Sequence, residues 1–154
     1  MNPAKHVAAS ALTSTAFFSM THSWPGTIAC FLSGIVIDVD HLFDFYIHHK
    51  RMCWSLSEMY DFCLKDKAGK MYMVFHTYEL LVLLWIAVAL LKFDTVLLGM
   101  AVGLSIHMMF DQMINPVYPL AYFWFFRWRF GFSKKIFFHE DFLEEQKITL
   151  KPQP

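Results

Sequence analysis

Eight side chains that are costly to bury stand inside or at the ends of apolar runs: His6, Asp38, Asp40, His41, His76, Glu79, His107 and Asp111. An ionisable group in mid-span costs roughly 2.5–3.5 kcal/mol on insertion scales, so such groups persist where they are paired, solvated or used. Their spacing suggests pairs. His107 and Asp111 are four residues apart and share one helical face, an arrangement that lets two side chains grip one metal ion or two adjacent ones. His76 and Glu79 share a face likewise, as do Asp38 and His41, with Asp40 pointing elsewhere unless the helix has ended before it. Imidazoles and carboxylates without a thiolate suit zinc, manganese or iron better than copper(I) or an iron–sulfur cluster. The donors outnumber the three or four ligands that one catalytic zinc takes, so two or three ions are expected, with water activated by the metal as the nucleophile. Taken one by one, each motif has a plainer explanation. A lone His on an apolar helix is more often a packing residue, and Asp-x-Asp-His at a helix end is often a cap. What decides for a divalent metal site is that all eight fall at the same ends of the runs that carry them.

Those runs are the elements that must position the site. Leu80–Leu91 is twelve residues without a polar side chain, and extension back to Tyr72 gives the length of a bilayer span. Thr95–Ile114 is a second long run, with Ser105, His107, Asp111 and Gln112 in its second half. Val7–Met20 and Trp24–Ile37 are shorter and separated by Thr21, His22 and Ser23, which predicts a tight helical hairpin with Pro25 in the first turn of its second arm. Tyr118–Trp128 is aromatic and bounded by Pro116, Pro119 and Arg127, the pattern of an interfacial helix. The fold expected is therefore all-α: an integral membrane helical bundle of about four transmembrane helices plus an interfacial aromatic helix. With the N-terminus inside, every Lys and Arg except Lys92 lies on the cytoplasmic side, which predicts a multi-pass chain with both termini cytoplasmic. Under that topology the eight site residues also fall at cytoplasmic span ends, although they took no part in choosing it. Lys5 and the apolar run after it have the outline of a signal peptide, but no cleavage-site pattern follows and the run reads as the first span.

Composition narrows the function classes. Of 154 residues, 56% are hydrophobic and 17% charged, which is greasier than a soluble domain. Lys and Arg balance Asp and Glu, so no positive field exists to recruit nucleic acid. Cys30, Cys53 and Cys63 form neither a disulfide framework nor a Cys-x-x-Cys zinc motif. The length suits one domain, read here as a membrane-embedded unit over residues 1–138 with a long cytoplasmic loop at 43–71 carrying short helices of its own, followed by a polar tail at 139–154. His48, His49, Lys50 and Arg51 read as a solvated basic patch near anionic lipid, while His22 faces the outer interface and His139 belongs to the tail.

Gly103-Leu-Ser-Ile-His107-Met-Met-Phe-Asp111, followed by Pro116, Pro119 and aromatic residues, resembles the YdjM-like family of bacterial inner-membrane proteins, described as metal-dependent hydrolases. An early His, matched by His6, and the Asp38-Val-Asp40-His41 sequence belong to the same resemblance, which covers roughly residues 5 to 130. Ile37 stands where that family has Pro, and no His-Arg pair precedes His76. The resemblance implies the all-helical fold of zinc-dependent phospholipases C and a bacterial inner-membrane location. It also implies hydrolysis of a lipid or lipid-like phosphoester at the cytoplasmic interface, with membrane lipids as partners. His6, Asp38, His41, His76, His107 and Asp111 would hold the metal, and Asp40 or Glu79 would orient or deprotonate the water. The alternatives from the residues themselves are a metal-ion transporter and a metal-binding structural membrane protein.

Overall fold

The computed structural model describes residues 3–64, 70–115 and 117–136. The expected polar tail, with His139, lies outside the described residues, as do Pro116 and residues 65–69 of the long loop. Seven α-helices follow one another among the described residues: α1 (Pro3–Thr21), α2 (Trp24–Val36), α3 (Val39–His49), α4 (Leu56–Leu64), α5 (Tyr78–Leu90), α6 (Thr95–Ile114) and α7 (Trp124–Arg129). Short 3₁₀ turns at Pro119–Tyr122 and Lys134–Ile136 flank α7. The only sheet-like pairing among these residues is an isolated bridge between Lys70 and Ser133, so the all-helical expectation holds.

The chain divides into two compact units, one of Met1–Val39 with Val74–Asn115 and the other of Asp40–Met73 with Pro116–Pro154. The first contains α1, α2, α5 and α6. Its hairpin turns where expected: His22 adopts a left-handed backbone at φ 52°, and Ser23 caps α2 by accepting from the Gly26 N–H at 3.3 Å. The Ser23 hydroxyl also donates to Thr95 Oγ1 at 3.0 Å, tying the hairpin to the start of α6, which Asp94 caps through the Val96 and Leu97 N–H groups. Close approach of α2 and α6 requires glycine. A Cβ on Gly99 would meet the Gly26 carbonyl, and one on Gly103 would meet the Cys30 carbonyl.

This unit is turned inside out relative to a soluble bundle. On α1 the buried residues are His6, Ser10, Ser14 and Phe17, one helical stripe that is mostly polar, while Leu12 and Met20 are 75% and 83% exposed. Trp24, Ile28, Leu32, Leu83 and Leu90 are likewise exposed on the neighbouring helices.

Helix lengths depart from the four-span expectation. α6, at 20 residues, is the one described helix long and apolar enough to cross a membrane. α5 is apolar but has 13 residues, as does α2, and at 1.5 Å per residue each is about 20 Å long against a hydrocarbon core of about 30 Å. α1 has the length, but Lys5, His6 and its Ser and Thr residues lower its hydropathy. The apolar run beginning at Tyr72 becomes helical only at Tyr78, because Thr77 is extended (φ −134°, ψ 138°) and its side chain caps α5 by accepting from Leu80 N.

The second unit explains why Tyr72 and Met73 stay out of that helix. Their N–H groups donate to the Asp44 carboxylate on α3 at 3.0 and 3.1 Å, and the carbonyls of both accept from the Arg127 guanidinium of α7. Met73 is held at φ 43°, a conformation a side chain resists unless its surroundings impose it. Nearby, Phe45, Cys53 and Phe62 form a small apolar core, with Lys134 Nζ 3.6 Å from the Phe62 ring centre and donating to the Phe62 carbonyl at 2.9 Å. The long loop thus carries helices, as expected. The aromatic segment is a 3₁₀ turn and a short helix rather than one continuous helix.

Candidate metal centre

Four elements of the first unit bring side chains to one place. His6 lies in the first turns of α1. Asp38 sits in the turn that ends α2, where the Asp38 N–H donates to the Ile35 carbonyl at 3.2 Å. His76 immediately precedes the Thr77 cap of α5, and His107 and Asp111 lie one turn apart on α6. His6, His76, His107 and Asp111 are buried, while the Asp38 side chain keeps 23% of its surface exposed.

The donor atoms converge. His76 Nε2 lies 3.2 Å from His107 Nε2, 3.6 Å from Asp38 Oδ1 and 3.6 Å from Asp111 Oδ2. His107 Nε2 lies 3.5 Å from Asp38 Oδ1 and 3.3 Å from Asp111 Oδ2. A tetrahedral ion with bonds of about 2.0–2.1 Å separates its ligands by roughly 3.3–3.4 Å, so this spacing fits a small divalent cation. His107 is oriented for it: Nδ1 lies 2.8 Å from the Gly34 carbonyl, which can only accept, so Nδ1 carries the proton and the lone pair is on Nε2. The close packing of α2 on α6 is what brings that carbonyl within reach.

Beside these atoms, His6 stacks on His107 with ring centres 4.1 Å apart and planes 17° from parallel. Its Nε2 is 3.2 Å from Asp111 Oδ1, the same oxygen that accepts from Asn115 Nδ2 at 2.9 Å. The residues form two overlapping groups, His6–His107–Asp111 and Asp38–His76–His107, each with donors close enough to hold a metal ion. The chemistry available is that of two or three imidazoles and two carboxylates, and α2, α5 and α6 contribute no Lys or Arg to neutralise them.

Asp40, His41 and Glu79 belong to neither group. The helix does end before Asp40: α2 stops at Val36 and α3 begins at Val39, so Asp38, Asp40 and His41 do not share one helix, and Asp40 and His41 fall in the second unit. Asp40 is buried in the first turn of α3. Glu79 is half-buried in the first turn of α5, and His76 precedes that helix, so the two are not on one helical face.

Two partners escaped sequence reasoning. Asn115 stands four residues after Asp111, the same spacing that links His107 to Asp111, and that spacing could have identified it. The Gly34 carbonyl had no such signal. In the second unit Arg127, read from sequence as an interfacial charge, is fully buried, whereas His48, His49, Lys50 and Arg51 are exposed as expected. Burial pushes the Asp44 carboxyl above its ordinary range, opposed by the Tyr72 and Met73 N–H groups. Glu58, hydrogen-bonded to Arg51 on the surface, is held below its ordinary range chiefly by that bond.

No protein-family model, curated protein or solved structure matches the chain.

Proposed function

We propose that the chain is a multi-pass membrane protein of a bacterial inner membrane with a metal-dependent hydrolase site at its cytoplasmic face, acting on a lipid or lipid-like phosphoester. The observation that carries the metal centre is that the Nε2 atoms of His76 and His107 lie 3.2 Å apart with an oxygen of Asp38 and one of Asp111 each within 3.6 Å of both, in two groups that could hold a divalent ion, zinc by donor type. The membrane setting is supported by the first unit, where polar side chains and glycines share the interior with apolar ones while many large apolar residues are exposed. Short α2 and α5 span by local thinning of the bilayer or with the help of flanking residues. Hydrolysis and the phosphoester substrate rest on the resemblance to the YdjM-like family carried by His6, Asp38-Val-Asp40-His41 and the His107/Asp111 segment.

A divalent ion bound here supplies Lewis-acid stabilisation of charge developing on a phosphoryl group. Asp38 is the donor that reaches solvent, so a headgroup diffusing in the membrane plane meets the site from its side. Of the two carboxylates outside the donor set, Glu79 belongs to the same unit as the donors and takes the role of accepting the water proton. Glu79→Gln should keep its metal while hydrolysis of a phospholipid or lipid pyrophosphate in mixed micelles falls by roughly 10²-fold or more.

One observation favours a second reading. Every donor in the two groups comes from the protein, and a shell closed by protein ligands is typical of structural rather than catalytic zinc. Fully metal-loaded wild-type protein that hydrolyses none of these substrates would establish that reading, a metal-stabilised or metal-handling membrane protein, in place of the hydrolase.

A further inference from the structure

The two overlapping groups of donors invite the picture of a two-ion cluster, within the two or three ions expected from the sequence. The atoms argue otherwise. Both groups include His107, and with Nδ1 committed to the Gly34 carbonyl that residue has a single lone pair, on Nε2. One lone pair serves one ion. Nε2 already faces His76 Nε2, Asp38 Oδ1 and Asp111 Oδ2 at 3.2–3.5 Å. Asp111 divides its two oxygens in the same sense. Oδ2 faces the imidazoles of His76 and His107, while Oδ1 accepts from Asn115 Nδ2 and lies 3.2 Å from His6 Nε2. His6 Nε2 lies at hydrogen-bond distance from Oδ1, the oxygen that Asn115 also bonds, and stacking on His107 holds the ring beside the donor set.

We propose that the site takes one divalent cation, on His76, His107 and Asp38, and that His6 and Asn115 are positioning residues that hold Asp111 beside it through its other oxygen. This rests on the metal centre proposed above but not on its hydrolytic chemistry. Anchoring one carboxylate oxygen presents the other in a fixed direction, the usual office of hydrogen bonds outside a ligand shell, whose loss typically costs 10–100-fold in metal affinity.

The test uses the full chain in detergent, stripped by a chelator and titrated with Co²⁺, reading equivalents bound and the visible absorption of the ion. Wild type should bind one equivalent with the strong band of a four-coordinate site. His6→Ala and Asn115→Ala should still bind one equivalent with an unchanged band, about 10–100-fold more weakly. His6→Gln, whose amide can donate to Oδ1 but offers no imidazole nitrogen, should recover much of that loss. His76→Ala should lose or shift the band. Two equivalents in wild type and one in His6→Ala would overturn the inference and make His6 a ligand to a second ion. A band altered in both His6 variants would make it a ligand to the first. Should His6→Ala fail to fold, His6→Gln and Asn115→Ala decide between the same outcomes. No cobalt uptake by wild type would instead remove the metal centre itself, a failure distinguishable from the others by stoichiometry alone.

Discussion

In the unit built on α3, α4 and α7, the buried Arg127 and Lys134 meet backbone carbonyls and an aromatic face. In the unit of α1, α2, α5 and α6, imidazoles and carboxylates point their acceptor atoms toward one another. The first arrangement is self-sufficient at the backbone: the Asp44 carboxylate takes the N–H groups of Tyr72 and Met73 while Arg127 takes their carbonyls, so two residues, one of them Met73 at φ 43°, are bonded from both sides. The second brings imidazole nitrogens and carboxylate oxygens within 3.2–3.6 Å of one another, in groups that could hold a metal ion. Buried charge bonded to the backbone holds a fold together, whereas buried imidazoles and carboxylates grouped at metal-ligand distances mark a place where an ion can bind.

The largest effect expected from this contrast is in the self-sufficient unit. Arg127→Ala leaves the Tyr72 and Met73 carbonyls and Asp44 without the guanidinium, and breaking a buried charge network by removing one partner costs about 3–5 kcal/mol. Denaturant unfolding should show that loss equally with metal and with chelator. Recovery of Arg127→Ala on adding Zn²⁺ would mean that the clamp works through the metal centre and would dissolve the distinction.

Next comes His107→Ala, whose effect should depend on metal. An ion present at 100 times its Kd stabilises the folded state by about 2.7 kcal/mol, and a variant that cannot bind it forgoes that amount. Wild type treated with chelator should fall to the level of His107→Ala, and the variant itself should not respond. A variant as unstable without metal as Arg127→Ala would show His107 to be part of the packing alone.

How far the sequence revealed each unit follows from where its partners lie. His107 and Asp111 were legible because both stand on one uninterrupted helix, where spacing fixes direction. His6 and His76 are legible because they fall at the same ends of their apolar runs as the other candidates, not from either imidazole alone. Asp40 and His41 were grouped with Asp38 because Ile37-Asp38-Val39 holds neither Gly nor Pro to announce the break between α2 and α3. Tyr72–Val74 read as helix because it is apolar, while the groups that occupy its backbone, Asp44 and Arg127, are 28 and 55 residues from Tyr72 in sequence. Nor does a list of basic residues reveal which one turns inward; Arg127 and Lys134 were counted with the surface charges that orient the chain.

A smaller, pH-dependent difference follows from Asp44. Burial raises its carboxyl above the unfolded value, so between about pH 4 and that raised value the native state holds more protons than the unfolded chain. The contribution is fully present below about pH 4 and is lost as pH rises through the native value. Asp44→Asn removes the titration, so the denaturation midpoint of wild type should fall relative to that of Asp44→Asn as pH is raised across this window. A wild type that gains on the variant instead would show that the N–H groups of Tyr72 and Met73 and the charge of Arg127 outweigh desolvation.

The smallest effect belongs to the surface pair of the same unit. Arg51 and Glu58 are bonded to one another in the open, and their bond holds the Glu58 carboxyl below its ordinary range. The sign is opposite to that of Asp44: the contribution is present above about pH 4.3, the unfolded value, and disappears as pH falls through the lower native one. Because solvent and salt screen an exposed pair, Glu58→Gln at neutral pH should leave the denaturation midpoint unresolved from wild type, and raising the salt concentration should remove what difference exists. Set beside Arg127→Ala, this variant asks whether the unit is held by its buried charges or by its charges in general. A loss from Glu58→Gln as large as that from Arg127→Ala would show that the exposed pair carries the unit and that burial of Arg127 is not what distinguishes it.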